Sequence, residues 1–222
     1  MNKFFSAAAI AAAPALMVGL CTYTSVASAQ SNWPKQPIKL IVPFPAGGSV
    51  DTLARTLAPS LQATLGQTII VDNRGGGSGS IGAGIAAKSA ADGYTFLLVF
   101  DTHGVNPSLI PNMPFDTLKD LAPVMLVGTS PMVLVAHKDV PANTFTQAMA
   151  FNKVKPGTLQ FGTISSGSLA HLAMSQLGGI AKQTFTHIPY KGGGPLVNDV
   201  IGGQVPYAMG TVFLLNPHIQ SK

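Results

Sequence analysis

Between Pro37 and Phe100 three short apolar runs alternate with two segments of helical character, and that alternation leaves the chain few folds to choose from. IKLIVPF is bounded by prolines, TIIVDNR is rich in β-branched residues, and YTFLLVF is apolar throughout, so all three read as strands. Between the first two, DTLARTLAPSLQATLG sets Leu53, Leu57, Leu61 and Leu65 four residues apart on one helix face and closes at Gly66. Between the second and third, GGGSGSIGAGIAAKSA reads as a glycine turn entering a helix of small residues. A βαβαβ order within one sheet requires parallel strands and right-handed crossovers. The expected class is α/β.

The alternation then pauses. Asn106 to Pro123 holds four prolines and the polar FDTLKD, and reads as a surface loop. APVMLVGTSPMVLVAH follows as two apolar runs broken by Gly128 to Pro131, a break suited to a passage between lobes. Beyond it the pattern resumes: FTQAMAFNKVK as helix, LQFGTI as strand, SLAHLAMSQLGGIA as helix, FTHIPY as strand, PLVNDVIGG as helix and VPYAMG as strand.

Residues 1–29 stand apart from this pattern. Lys3 gives a positive start, AAAIAAAPALMVGL an apolar centre interrupted by Pro14, and Ala27 to Ala29 a small-residue cleavage site, the three parts of a secretory signal peptide. Cleavage there goes with export of the chain and removes its single cysteine, Cys21. The remainder then has no disulfide, no thiolate nucleophile and no thiolate metal ligand. With 46% hydrophobic and 9% charged residues, it is expected to fold by burial alone.

The formal charge of the whole chain is +5, arising from an absence of glutamate rather than from clustered lysines. No arginine-rich patch with interleaved aromatics is present, so nucleic acid is not an expected partner. A diffuse positive field favours a small anion, and serves solubility equally well. The five histidines show no H-x-x-x-H pairing, so neither a metal nor a cofactor is expected.

Three turns carry the candidate chemistry. The first, FPAGGSVD, runs from Phe44 through Gly47, Gly48 and Ser49 to Asp51, where a strand gives way to a helix whose first N–H groups are free to meet an anion. It lacks the lysine of a phosphate-binding Walker loop. GGGSGSIGAG has glycines near dinucleotide-fold spacing, but the acidic residue such a fold needs is missing from the following strand, where Phe100 and Asp101 arrive late. The second turn, ISSGSLAHL, clusters Ser165, Ser166, Gly167 and Ser168 at a helix start with His171 one turn in. Capping is the commonest reason for such serines. They do not form the G-x-S-x-G elbow of a hydrolase, since Ile164 stands where the serine belongs. The third turn, HIPYKGGGP, ends a strand in Tyr190, Lys191 and Gly192, with Lys191 placed to offer a counter-charge or simply to face water.

Taken in order, WPKQPIKLIVPFPAGGSVDTLAR, VDNRGGGSGSIGA, DGYTFLL, NPSL, FDTLKDLAPV, THIPYKGGGP and IGGQV resemble the tripartite tricarboxylate transporter substrate-binding proteins, the Bug receptors, from about Trp33 to the end. The resemblance implies a type II periplasmic-binding-protein fold, with residues 30–128 as a first lobe and 129–222 as a second. It implies a monomeric receptor without enzymatic activity, which binds a small carboxylate and delivers it to a membrane permease. The family's ligand loops fall on Phe44 to Asp51, on Thr102 and His103, on Ser165 to Ser168 with His171, and on the turn from Tyr190. The chain departs from the family at Pro206, where an acidic residue is usual, and at Met209 to Thr211, where the usual motif is FDN. Family members also continue past Pro217 to Ile219, so an incomplete second lobe is expected. The alternative reading is an exported serine hydrolase using Ser166 or Ser168 with His171.

Overall fold

Hydrogen-bond pairing divides the strands into two sheets. In the first, β1 (Ile38–Val42) lies between β2 (Ile69–Asn73) and β3 (Thr95–Leu97), both parallel to it, with Ile38 opposite Ile69 and Lys39 opposite Thr95. The structure is a computed structural model and describes residues 33–220. The signal-peptide reading lies outside these residues.

The β1–β2 crossover is α1 (Ser49–Leu65), which ends on Gly66 in the left-handed region at φ +67°, where its amide donates to the Gln62 carbonyl. The buried side of α1 is not the leucine stripe expected from the sequence. Val50, Ala54 and Ala58 face the sheet, while Leu61 is 38% exposed. Small residues bring the helix axis close to β1, and Val50 and Ala54 pack there with Val42 and Phe44. The second crossover passes through a single 3-10 turn at Gly77–Gly79 into α2 (Ser80–Ala87). Gly82 is required there, because a Cβ at that position would lie 2.7 Å from the Arg74 carbonyl oxygen.

The region expected as loop is partly helical. α3 (Thr102–Leu109) takes in Asn106 to Leu109 with Pro107 inside it, started by the Asp101 carboxylate accepting from the Thr102 amide. After it, residues 121–131 form no strand, and Val124, Met125 and Leu126 are 74%, 73% and 78% exposed. Only the second of the two apolar runs pairs.

That run opens the second sheet, ordered β4 (Met132–Ala136), β7 (Tyr207–Thr211), β5 (Gln160–Thr163) and β6 (Thr186–Pro189). β4 runs antiparallel to β7, and the other pairs are parallel. Helices α4 (Phe145–Val154), α5 (Leu169–Ala181) and α6 (Gly193–Ile201) link the strands, and α7 (Val212–Gln220) follows β7. The sequence reading does not include α7, because VFLLNPHIQ carries Pro217 and no periodic polar face. One core gathers Ala148, Leu159, Phe161, Met174 and Tyr207, and another Leu196, Val200, Val205 and Ala208. Beside the first, the buried Asn152 satisfies its whole amide: it accepts from Gly157 and Leu159 and donates to Gln183 and the Thr184 carbonyl. None of the described helices is long and apolar enough to cross a membrane.

Candidate functional site

In open α/β sheets the carboxyl ends of parallel strands leave a crevice where loops from neighbouring crossovers meet. Here those ends come from both sheets. Phe44 and Pro45 after β1, Gly75 to Gly79 after β2, Ile164 to Ser166 after β5, and Pro189 to Lys191 at β6 enclose a cavity of about 610 Å³. Its wall carries no acidic side chain and one basic one, Lys191.

The serine turn is the most tightly specified part of that wall. Ser168 caps α5, its hydroxyl accepting from the His171 amide and donating to the Ser165 carbonyl at 2.9 Å. The Thr163 hydroxyl donates to the same carbonyl, also at 2.9 Å. Gly167 turns the chain at φ +77°, and its amide donates to His171 Nδ1 at 3.1 Å. Ser165 is 6% exposed, yet its hydroxyl has no protein partner. A buried hydroxyl left unpaired beside a cavity costs about 1–3 kcal/mol unless something in the cavity meets it.

Contacts between the two sheets converge on this same turn. Ser78, held in the left-handed region at φ 53°, donates its hydroxyl to the Ser166 carbonyl at 3.0 Å, and Asn106 steadies it by donating to the Ser78 carbonyl. Asp101, at the start of α3, reaches the Leu169 amide at 2.6 Å. The first amide of α5 therefore faces a carboxylate of the protein itself. Burial pushes the Asp101 carboxyl above its usual range, and its bonds from Leu169 and Thr102 offset part of that rise.

Of the residues singled out in the sequence, Phe44, Ser165, Ser166, Tyr190 and Lys191 line the cavity. Tyr190 presents its ring, because its hydroxyl is engaged by Asp199 at 2.8 Å. Burial, then the Asp199 carboxylate, push that phenol up to about 12. Thr102 and His103 line a separate tight crevice with Phe44, Ser78, Gly79 and Asn106, and burial lowers the His103 pKa. Gly47, Gly48 and Ser49 are elsewhere. Ser49 bonds Thr211 between hydroxyls at 3.0 Å, and Gly48 lies against Gly193, where a Cβ would come within 3.3 Å of the Gly193 nitrogen. Gly192 turns the chain into α6 at φ +115°, its amide donating to the Ile164 carbonyl. Thus α1 and α6 meet start to start, and their first turns lie against each other rather than around the cavity.

Asp51 is 3% exposed and accepts from the Gly47 amide, from Arg55 and from Asn73. Burial acts to raise its pKa, but Arg55, Gly47 and Asn73 together hold it below the ordinary value. It braces the turn and is fully engaged in doing so. Neither Ser49 nor Asp51 caps α1, where Gly48 is the N-cap without a side-chain bond. Gly167, Ser168 and His171 stand behind the cavity wall, shaping the turn. No hydrogen bond joins a serine hydroxyl to the His171 ring among the described residues, and that ring stacks on His187 at 3.9 Å. The Ser–His pair of a hydrolase is not assembled. No group of three or more His, Cys, Asp or Glu residues suited to a metal ion occurs among the described residues.

The sequence reading misses the arc Gly75 to Gly79 as cavity wall, together with Ile164 and Pro189. The signal is the glycine cluster itself, whose spacing points first to a dinucleotide and so draws attention from its use as a bare backbone wall.

Two α/β sheets whose strand ends and crossover turns share one crevice define the fold of the periplasmic solute-binding proteins. Solved structures agree: periplasmic binding protein BugD matches at TM-score 0.79 and 33% identity, over 85% of this chain and 63% of that one. R. palustris Rpa4515 with adipate matches at 0.81 and 32%, and MatC from Rhodopseudomonas palustris with bound malate at 0.77 and 29%, each over 85% of this chain and 64% of theirs. The family model of the tripartite tricarboxylate transporter family receptor matches residues 53–222, and the chain belongs to that family. Protein BugT of Bordetella pertussis is 42% identical over 192 residues, which is 86% of this chain and 59% of the relative. A protein from the TAR-I ttuE-ttuC' intergenic region of Agrobacterium vitis is 38% identical over 82% of this chain and 53% of its own length. The chain thus spans between half and two thirds of the relatives it matches.

Proposed function

We propose that the chain is the ligand-binding part of an exported receptor that takes a small carboxylate from the periplasm and delivers it to a tripartite tricarboxylate-type permease, acting as a monomer and not as an enzyme. Residues 30–128 and 129–222 are the two lobes in this reading, and residues 1–29 the export signal. One observation carries it: the buried Ser165 hydroxyl has no protein partner, and Ser165 is among the residues lining a cavity free of acidic side chains. A carboxylate oxygen is the complement of a lone hydroxyl donor beside glycine amides. Adipate and malate in two structural relatives support the same chemistry.

The test is thermal unfolding of the chain against a panel of mono- and dicarboxylates, with the ligand quantified afterwards. A ligand at one hundred times its Kd adds about 2.7 kcal/mol to stability, so a true ligand raises the midpoint by several degrees and is recovered unchanged. Ser165→Ala should reduce that rise. A panel without any stabilising anion, or turnover of the ligand, overturns the reading.

A further inference from the structure

The serine turn is held from behind by two imidazoles that do not face the cavity. His171, on the first turn of α5, and His187, on β6, stack at 3.9 Å with their planes 16° apart, and Phe161 lies beyond His187 at 5.1 Å. Each ring is fixed by a bond whose direction determines its proton. His171 Nδ1 accepts from the Gly167 amide, so that nitrogen is bare and the proton sits on Nε2. The Thr163 hydroxyl has one proton and gives it to the Ser165 carbonyl, so at 2.8 Å it can only accept from His187 Nε2. His171 is therefore a neutral Nε2–H tautomer and His187 also carries a proton on Nε2, and the two chains of bonds end on the peptide groups on either side of Ser166.

We propose that His171 and His187 are positioning residues for the ligand site, holding the Ser165–Ser168 turn in its binding-competent form only while His171 is neutral. This rests on the receptor reading above. A proton added to His171 Nδ1 points at the Gly167 N–H, replacing a hydrogen bond with two opposed donors, and the turn must shift. A proton added to His187 goes to Nδ1 and leaves the Thr163 bond intact, so the two rings are not equivalent. His187 acts as the rigid back of the stack.

Few titratable groups face the pair. His187 faces His171 from β6, the Asp101 carboxylate reaches the start of α5 through the Leu169 amide, and β5 contributes Phe161 and Thr163, neither of which carries charge. Burial lowers the His171 pKa, and burial followed by the charge of His171 lowers His187 to about 4. As pH falls from neutrality, His171 is therefore the first of the two to titrate, and ligand affinity falls with it.

The experiment titrates adipate and malate against wild type, His171→Asn and His171→Ala from pH 8 to about pH 4.5, a window that brackets the ordinary imidazole range. Asparagine keeps an acceptor near the Nδ1 position but does not titrate. At pH 8 wild type and His171→Asn should agree within about threefold, while His171→Ala is weaker by about five- to tenfold, the equivalent of one hydrogen bond. At the acid end the order reverses, with His171→Asn binding more tightly than wild type. The ligand's own protonation cancels in that ratio. Equal binding by His171→Ala and wild type at the alkaline end, or the same acid loss in His171→Asn as in wild type, overturns the proposal.

A readout without ligand separates this inference from the receptor reading. In wild type the Gly167 amide resonance should move with the His171 titration, and in His171→Asn it should be flat. If no carboxylate of the panel binds but the Gly167 amide still follows His171, only the receptor reading falls. An amide indifferent to pH removes the inference whatever binds.

Discussion

Replacing Asp101 with alanine removes two hydrogen bonds of unequal meaning. The bond from the Thr102 amide, at 2.8 Å, is made one residue away and survives any movement of one sheet against the other. The bond from the Leu169 amide, at 2.6 Å, spans 68 residues and exists only when the turn after β3 meets the start of α5. In the proposed receptor only the second bears on closure around a ligand. A hydrogen bond to a charged group contributes about 1.5–3 kcal/mol, and partial solvent access at Asp101 takes it just below the lower end, to about 1.4 kcal/mol. That corresponds to about a tenfold loss of carboxylate affinity in Asp101→Ala. Asp101→Asn keeps an acceptor and removes a charge that burial disfavours, so its affinity should stay within about threefold of wild type. Isothermal titration of both variants near neutral pH, with urea unfolding of the unliganded proteins as control, measures the difference. Equal affinities for the two variants would show that this contact does not support closure.

Leu196→Ala opens a void beneath the cavity wall, since Leu196 is 0% exposed and packs with Val200, Val205 and Ala208 under Ile164 and Tyr190. A loss of about 3 kcal/mol is expected in urea unfolding, and a loss under about 1 kcal/mol would mean the site collapses to fill it. Stability should also decline as pH falls from the ordinary imidazole value of 6.5 toward about 4, because the unfolded chain takes up a proton at His187 that the folded chain resists. His187→Gln should flatten the upper part of that decline in midpoint against pH, and an unchanged slope would contradict the assignment.

Much of the first sheet was legible because β1, β2 and β3 are apolar runs bounded by glycine and proline, and period alone separates them from α1. What the sequence hid was which face of α1 is buried. Four leucines at regular spacing outweigh Val50, Ala54 and Ala58 in any hydrophobicity sum, yet closeness to the sheet selects small residues. The helical α3 was concealed by Pro107, and α7 by Pro217, both tolerated in short helices by their neighbours. At the site, Ser165 and Ser166 were visible as a cluster, but not that one hydroxyl would be left unpaired and a neighbouring serine, Ser168, used as a cap. The role of His187 was invisible, because nothing in FTHIPY reveals that the ring meets His171 from another element. In the sequence alone Asp51 is open to a ligand, whereas the fold surrounds it with Arg55, Asn73 and Gly47.

The arc from Gly75 to Gly79 sets a limit on how a binding site in this cavity can be retuned. Gly76 sits at φ +124° with Ile81 only 2.6 Å from where a Cβ would be, so the arc accepts almost no side chains. Drift or laboratory selection toward a new solute must therefore work from the opposite wall, at Ile164, Pro189 and Lys191, while the glycine side stays a fixed template.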